Sequence, residues 1–154
     1  MKKIVDLLIE KKKTISFMES CTGGGCANSV TNIEGASEVL RFSAVTYSNE
    51  YKNKMGVSMD TIDKYSVYSM EVAIEMSNNI VKFSNSNYGV GITGKLNRVD
   101  INNPRGLDNV VFISIYDKDN DTYYNASIEV LKSSRSDNKE LVINKIKEML
   151  LEII

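Results

Sequence analysis

Apolar side chains stand at helical spacing from the first residues of the chain. Val5, Leu8 and Ile9 fall beside Ile4 and Leu7, and the run closes on Lys11-Lys12-Lys13. That pattern predicts a helix over 2–13 with cations at its carbonyl end. Residues 14–18 form a short apolar-rich run, a buried strand. Glu19-Ser20-Cys21-Thr22-Gly23-Gly24-Gly25 then reads as a tight turn opening into a helix that runs to about Asn32. Glu34-Gly35-Ala36-Ser37 is a second break, with Ser37 as cap of a short turn. Residues 42–47 alternate as a strand. Ser48 or Asn49 caps a helix over 50–55 that Gly56 closes, and a short helix follows near 60–65. Ser69 caps a longer helix with Val72, Ala73, Met76, Ile80 and Phe83 on one face. Residues 88–92 are a strand, 93–106 a loop holding the single proline, Pro104, and 110–116 and 122–130 two strands of a hairpin. A last helix over 137–152 turns Val142, Ile146, Met149, Leu150 and Ile153 inward.

Helices alternate with strands in the first half, and a hairpin closes the second. The consistent fold class is α/β, a three-layer α/β/α sandwich with a mixed β-sheet. No repeat, linker or low-complexity segment interrupts 1–154, so a single domain is expected.

Composition narrows the chemistry. Apolar residues make up 42% and charged residues 25%, the mixture of an ordinary globular protein. Nineteen Lys and Arg against twenty Asp and Glu give a net charge of −1, which offers no electrostatic reason to expect nucleic acid or a membrane surface as partner. The chain contains no histidine, so a Ser-His-Asp triad, a Cys-His pair and a His-ligated zinc are excluded within it. Cys21 and Cys26 are the only cysteines, too few for a structural zinc site, and they read as buried or half-buried free thiols of a reducing compartment. Asp6 and Glu10 interrupt the apolar start, so no signal-peptide core forms and a cytoplasmic location is expected. Homo-oligomerisation is left open.

Three places can carry chemistry. A strand entering a Gly-rich turn and a helix presents unpaired N–H groups, which favour a phosphate or a developing oxyanion. Ser20 stands at that turn, either as nucleophile or simply as a cap. Tyr47 and Lys52 can both reach a point beyond the end of one strand, where ligands of open α/β sheets bind. A phenol needs a nearby cation to act as a base around neutrality, and Lys52 would supply it. A half-buried tyrosine with a surface lysine is the plainer alternative. Gly89-Val90-Gly91-Ile92-Thr93-Gly94 matches G-x-G-x-x-G, but the glycines lie inside a strand and a polar loop follows, so a dinucleotide site is not expected.

Phe17-Met18-Glu19-Ser20-Cys21-Thr22-Gly23-Gly24 resembles the "AESCTGG" signature of the CinA C-terminal-domain family. Val45-Thr46-Tyr47-Ser48-Asn49-Glu50-Tyr51-Lys52 resembles its "VTYSNEAK", and Glu34-Gly35-Ala36-Ser37 its "PGAS". Val67 to Ala73 resembles "AVSxEVA", Gly89 to Gly94 the strand ending in "ITG", and Leu131 to Arg135 stands where the family has a "GDR"-like run. The similarity runs from about Thr14 to the C-terminus. The family includes nicotinamide mononucleotide deamidases, so the resemblance implies an amidohydrolase that converts this small-molecule mononucleotide and water into nicotinate mononucleotide and ammonia. By position, Ser20 matches the nucleophile and Tyr47 and Lys52 its partners, with Tyr47 taking the Ser20 proton under the influence of Lys52. Substrate would be held by Thr22, Gly23, Gly24, Thr93, Gly94 and Arg135, the amides of Thr22 and Gly23 serving as oxyanion donors. Neither metal nor cofactor is required. No activity of the separate N-terminal domain of some CinA proteins is transferred.

The departures gather after Gly94. The family's glycine-rich substrate loop is replaced by residues 94–107, where Lys95, Arg98 and Arg105 either hold a phosphate by charge instead or, on the plainer reading, are solvated loop cations. The second reading of the chain is therefore a catalytically inactive nucleotide-binding or protein-interaction module. The intact Ser20, Tyr47 and Lys52 favour the enzyme.

Overall fold

A computed structural model describes residues 1–154. In chain order the elements are α1 (Lys2–Glu10), β1 (Ile15–Glu19), α2 (Gly25–Thr31), α3 (Ala36–Val39), β2 (Leu40–Val45), α4 (Asn49–Lys54), α5 (Met59–Tyr65), α6 (Met70–Ser84), β3 (Tyr88–Gly94), β4 (Val110–Asp117), β5 (Thr122–Glu129) and α7 (Arg135–Ile153). The sheet order is β2-β1-β3-β4-β5. β2, β1 and β3 are parallel, while β4 and β5 add as an antiparallel hairpin.

The mixed sheet follows from the sequence pattern. Every residue of β1 and β3 is buried, as expected of parallel strands covered on both faces. β5 alternates half-buried and exposed positions, the signature of an edge strand with one face in water. On one face Ile15, Phe17, Val90, Ile92, Ile113 and Ile115 pack against Ile4 and Leu8 of α1, Val30 of α2 and Val142 and Ile146 of α7. On the other, Met18 meets Val72, Met76 and Ile80 of α6 and Ile62 of α5. The chain is thus the expected α/β/α sandwich. No helix is long and apolar enough to cross a membrane.

The glycine-rich run in β3 is explained by packing. A Cβ on Gly91 would stand 2.2 Å from the Ala73 carbonyl oxygen, and one on Gly89 would stand 2.3 Å from that of Ser77. These glycines let the backbone of α6 lie directly on the strand. Gly91→Ala is expected to cost about 3 kcal/mol, because helix and sheet must separate. A urea midpoint unchanged from wild type would contradict this.

Several boundaries move. α1 stops at Glu10, with Lys12 at φ 53°, so the lysines lie beyond the helix. Ser37 is inside α3, and Gly35 at φ 84° makes the entry. Ser48, not Asn49, caps α4 by accepting the Tyr51 N–H. Phe83 is 65% exposed, its ring resting against Phe42 at the edge of the sheet. β3 continues through Thr93 and Gly94 because both pair with β4. α7 begins at Arg135, capped by Ser134.

This topology creates one functional edge. β1, β2 and β3 run in parallel and end together at Glu19, Val45 and Gly94. Helices leaving β1 pack on one face and those leaving β2 on the other, so the sheet parts around the end of β1. Ser20, Tyr47 and the 95–109 loop all follow these strand ends.

Candidate active site

The turn after β1 is built around a buried carboxylate. Glu19 Oε2 accepts from the Thr22 hydroxyl at 2.7 Å and from the N–H groups of Gly24 and Cys26 at 3.0 and 3.1 Å, while Oε1 accepts from the Ala27 N–H at 3.0 Å. Helix starts leave such amides unpaired, and here the protein supplies its own anion. The turn itself needs left-handed backbone at Gly23 and Gly24, at φ 61° and 92°. The expected open anion site at the start of α2 is therefore already filled. The Gly23 N–H, expected as an oxyanion donor, donates instead to the Ser20 carbonyl at 3.0 Å.

Ser20 emerges from this turn with its side chain on Lys52. The Lys52 ammonium donates to Ser20 Oγ at 3.1 Å and to the Thr46 carbonyl at 2.7 Å. Lys52 is only 1% exposed and is the one buried residue of α4. Burial disfavours its charged form and brings its pKa down to about 8. The Cys21 thiol is pushed up to about 12 by burial, against the pull of Lys52, so it stays protonated near neutrality.

Tyr47 lies apart from this pair. It follows the end of β2, is 64% exposed, and its hydroxyl accepts from Arg135 Nη2 at 3.3 Å. The structure thus joins Lys52 to Ser20 directly, and the expected Ser20–Tyr47 proton contact is absent. The reason is helix phase: Lys52, four residues past the Ser48 cap, points inward, while Tyr47 precedes the cap and points to solvent.

Ser20 forms part of the wall of a cleft of ≈ 830 Å³, shared with Cys21, Tyr47, Tyr68, Gly94, Arg135 and residues 95–103 of the loop, except Asn97. Of the sequence candidates for substrate binding, Gly94 and Arg135 line it. Thr22, Gly23 and Gly24 face a separate depression of ≈ 350 Å³ beside Lys139 and Glu140 of α7. Thr93 is buried and donates its hydroxyl to the Val67 carbonyl at 2.8 Å, which holds the segment before α6. None of these four lines the cleft beside Ser20.

The three loop cations also separate. Lys95 is buried and paired with Asp108 at 2.8 Å, with the Pro104 carbonyl at 3.3 Å. Arg105 places Nη1 and Nη2 on the carbonyls of Asp63 and Lys64 at 2.6 and 2.8 Å, at the C-terminal end of α5. Arg98 is anchored through its backbone N–H on the Asp108 carbonyl, and its side chain lines the cleft. Arg98 and Arg135 are thus the loop and helix cations facing the cleft without a carboxylate partner.

Sequence reasoning passed over Glu19 and Asn138. Asn138 is buried in α7, accepts the Lys132 N–H at 2.9 Å and donates to the Lys132 carbonyl at 3.0 Å, fixing the turn that presents Arg135. Glu19 was readable from its place, since a carboxylate just before a glycine turn and a helix start has amides within reach. For Asn138 no local signal existed. Chemically, the assembly provides a hydroxyl held by an amine that is partly neutral near pH 8, in the wall of a cleft that two guanidinium groups also line.

A family model, the CinA C-terminal domain, matches residues 1–154. A "CinA-like protein" of Endomicrobium trichonymphae is 46% identical over 89 residues, 57% of this chain and 21% of its own. A Clostridium beijerinckii protein carrying a competence-damage inducible name is 45% identical over 116 residues, 73% of this chain and 28% of its own. The chain thus spans 21% to 28% of the length of these curated relatives. Among solved structures, the competence/damage inducible protein CihA of Agrobacterium tumefaciens superposes with a TM-score of 0.87 at 25% identity, covering 97% of this chain and 90% of that one. A CinA-superfamily protein of Escherichia coli gives a TM-score of 0.87 at 22% identity over 99% of this chain and 87% of that one, a likeness of fold.

Proposed function

The chain belongs to the CinA C-terminal-domain family, and on that premise we propose that it is an amidohydrolase converting nicotinamide mononucleotide and water into nicotinate mononucleotide and ammonia. The observation that carries this reading is the buried Lys52 amine at 3.1 Å from the Ser20 hydroxyl, with its pKa lowered to about 8. A binding module has no need of a lysine deprived of water and aimed at a serine.

In the proposed reaction neutral Lys52 takes the Ser20 proton as Oγ attacks the carboxamide carbon. The tetrahedral oxyanion is met by the Cys21 N–H, an amide of the cleft wall that neither Glu19 nor the Ser20 carbonyl engages. Protonated Lys52 returns the proton to the departing nitrogen, and ammonia leaves behind a seryl ester. Water then attacks the ester with Lys52 again as base, releasing the carboxylic acid and restoring Ser20. Tyr47 and Arg135, joined at the mouth, bind substrate, and Arg98 and Arg135 attract its phosphate. Arg98 supplies by charge what the family's glycine-rich loop would supply through amides.

The test is ammonia release from nicotinamide mononucleotide, with nicotinate mononucleotide measured alongside. Wild type is expected to form both in equal amounts, and Ser20→Ala neither above background. Folded wild type that releases no ammonia would end the assignment.

A further inference from the structure

One charged group in the cleft has no part in the amide chemistry. Asp100 is the single carboxylate of the cleft wall. Its Oδ2 accepts from the Tyr68 hydroxyl and from Asn103 Nδ2, the latter at 3.0 Å, and its Oδ1 accepts from the Asn102 N–H at 3.0 Å. These donors hold the carboxyl below its ordinary pKa, so it is a fixed negative charge. Asn103 in turn accepts from Asn49 Nδ2 at 3.0 Å, in the first turn of α4, the helix that carries Lys52. Asp100 is therefore tied in position relative to the Ser20–Lys52 pair, and the Tyr68 ring stands beside it in the same wall.

The surrounding charges decide what such a group can recognise. Lys95, whose ammonium stands 5.4 Å from the Tyr68 ring centroid, is paired with Asp108, which leaves Arg98 and Arg135 as the cleft's cations without a carboxylate partner. A simple anion is drawn to the arginines and repelled by Asp100, whereas a simple cation meets the reverse. A dipolar ligand satisfies both. We infer that Asp100, backed by Tyr68, is the counter-charge for a cationic heteroaromatic ring, so that the cleft selects a ligand with a ring cation at one end and a phosphate at the other. The inference rests on the amidase reading for its ligand and adds a specificity determinant within the loop that follows β3.

The experiment is calorimetric titration of Ser20→Ala protein with nicotinamide mononucleotide and with its 1,4-dihydro form, which keeps amide, ribose and phosphate but has a neutral ring. The oxidised form is expected to bind about three- to tenfold more tightly, the scale of a partly solvated charge contact. Adding Asp100→Asn should bring that ratio close to one. A purely structural role for Asp100 would weaken both ligands together and leave the ratio unchanged, which overturns the inference. So does an equal affinity, or no binding of either form, with Asp100 intact. Ammonia from wild type without the preference removes this subsite alone. The preference without ammonia keeps the subsite and removes the amidase.

Discussion

Replacing Lys52 by methionine is expected to lower the rate of ammonia release by about 10³- to 10⁴-fold, the loss that follows removal of a nucleophile's base. Methionine keeps the unbranched stem that threads the interior and deletes the amine that reaches Ser20 Oγ and the Thr46 carbonyl. Lys52→Arg should fail equally, since a guanidinium stays protonated and cannot accept the serine proton. The pH profile carries the same signature. Only the neutral amine is a base, so kcat/KM should rise as pH approaches about 8 and level off above it. Tyr47→Phe supplies the contrast: its hydroxyl meets exposed Arg135, so the loss should be about tenfold or less, with the acid limb unmoved. A Ser20→Ala, Lys52→Met double variant should be no slower than either single one, because the two act as a unit. If Tyr47→Phe abolished turnover while Lys52→Met left most of it, the tyrosine would be the base and the mechanism above would be wrong.

Glu19→Gln, the exchange of one oxygen for NH₂, is expected to cost about 2–4 kcal/mol of stability. Four donors converge on the two carboxylate oxygens, three on Oε2 and one on Oε1. A carboxamide can turn its oxygen to only one group of them and must point its NH₂ at the other, donor against donor, in a site without solvent. Urea unfolding measures the loss, and the ammonia assay should fall with it, because the same turn presents Ser20. A midpoint shift worth less than about 0.5 kcal/mol, the scale of an ordinary surface substitution, would mean that the glycines alone hold the turn.

Much of this architecture was legible because apolar runs and caps fall where the core needs them. The continuous runs of β1 and β3 announce buried parallel strands, and the Ser48 and Ser69 caps start α4 and α6. The division of labour between Tyr47 and Lys52 was not legible. A lysine in the polar helix Asn49–Lys54 reads as solvated, and its buried ammonium finds its partners, Ser20 and the Thr46 carbonyl, on the segments that follow β1 and β2. The residues at Thr22, Gly23, Gly24 and Thr93 sit in the right segments but turn away from the cleft, since a sheet edge has two sides and local pattern does not choose between them. The loop after Gly94 has no periodicity, and only long-range partners such as Asp63, Lys64 and Asn49 show how its cations and amides are allotted.

The clasp of Arg105 on the last carbonyls of α5, together with the Lys95–Asp108 pair, has a thermodynamic meaning for anything that enters the cleft. Fixing a residue's backbone costs about 1–2 kcal/mol. In this chain that cost for the loop falls on folding, where the surrounding core offsets it, and is not charged again when a ligand arrives. The cleft is preorganised, so the affinity of an incoming molecule reflects its contacts rather than the ordering of the wall it meets.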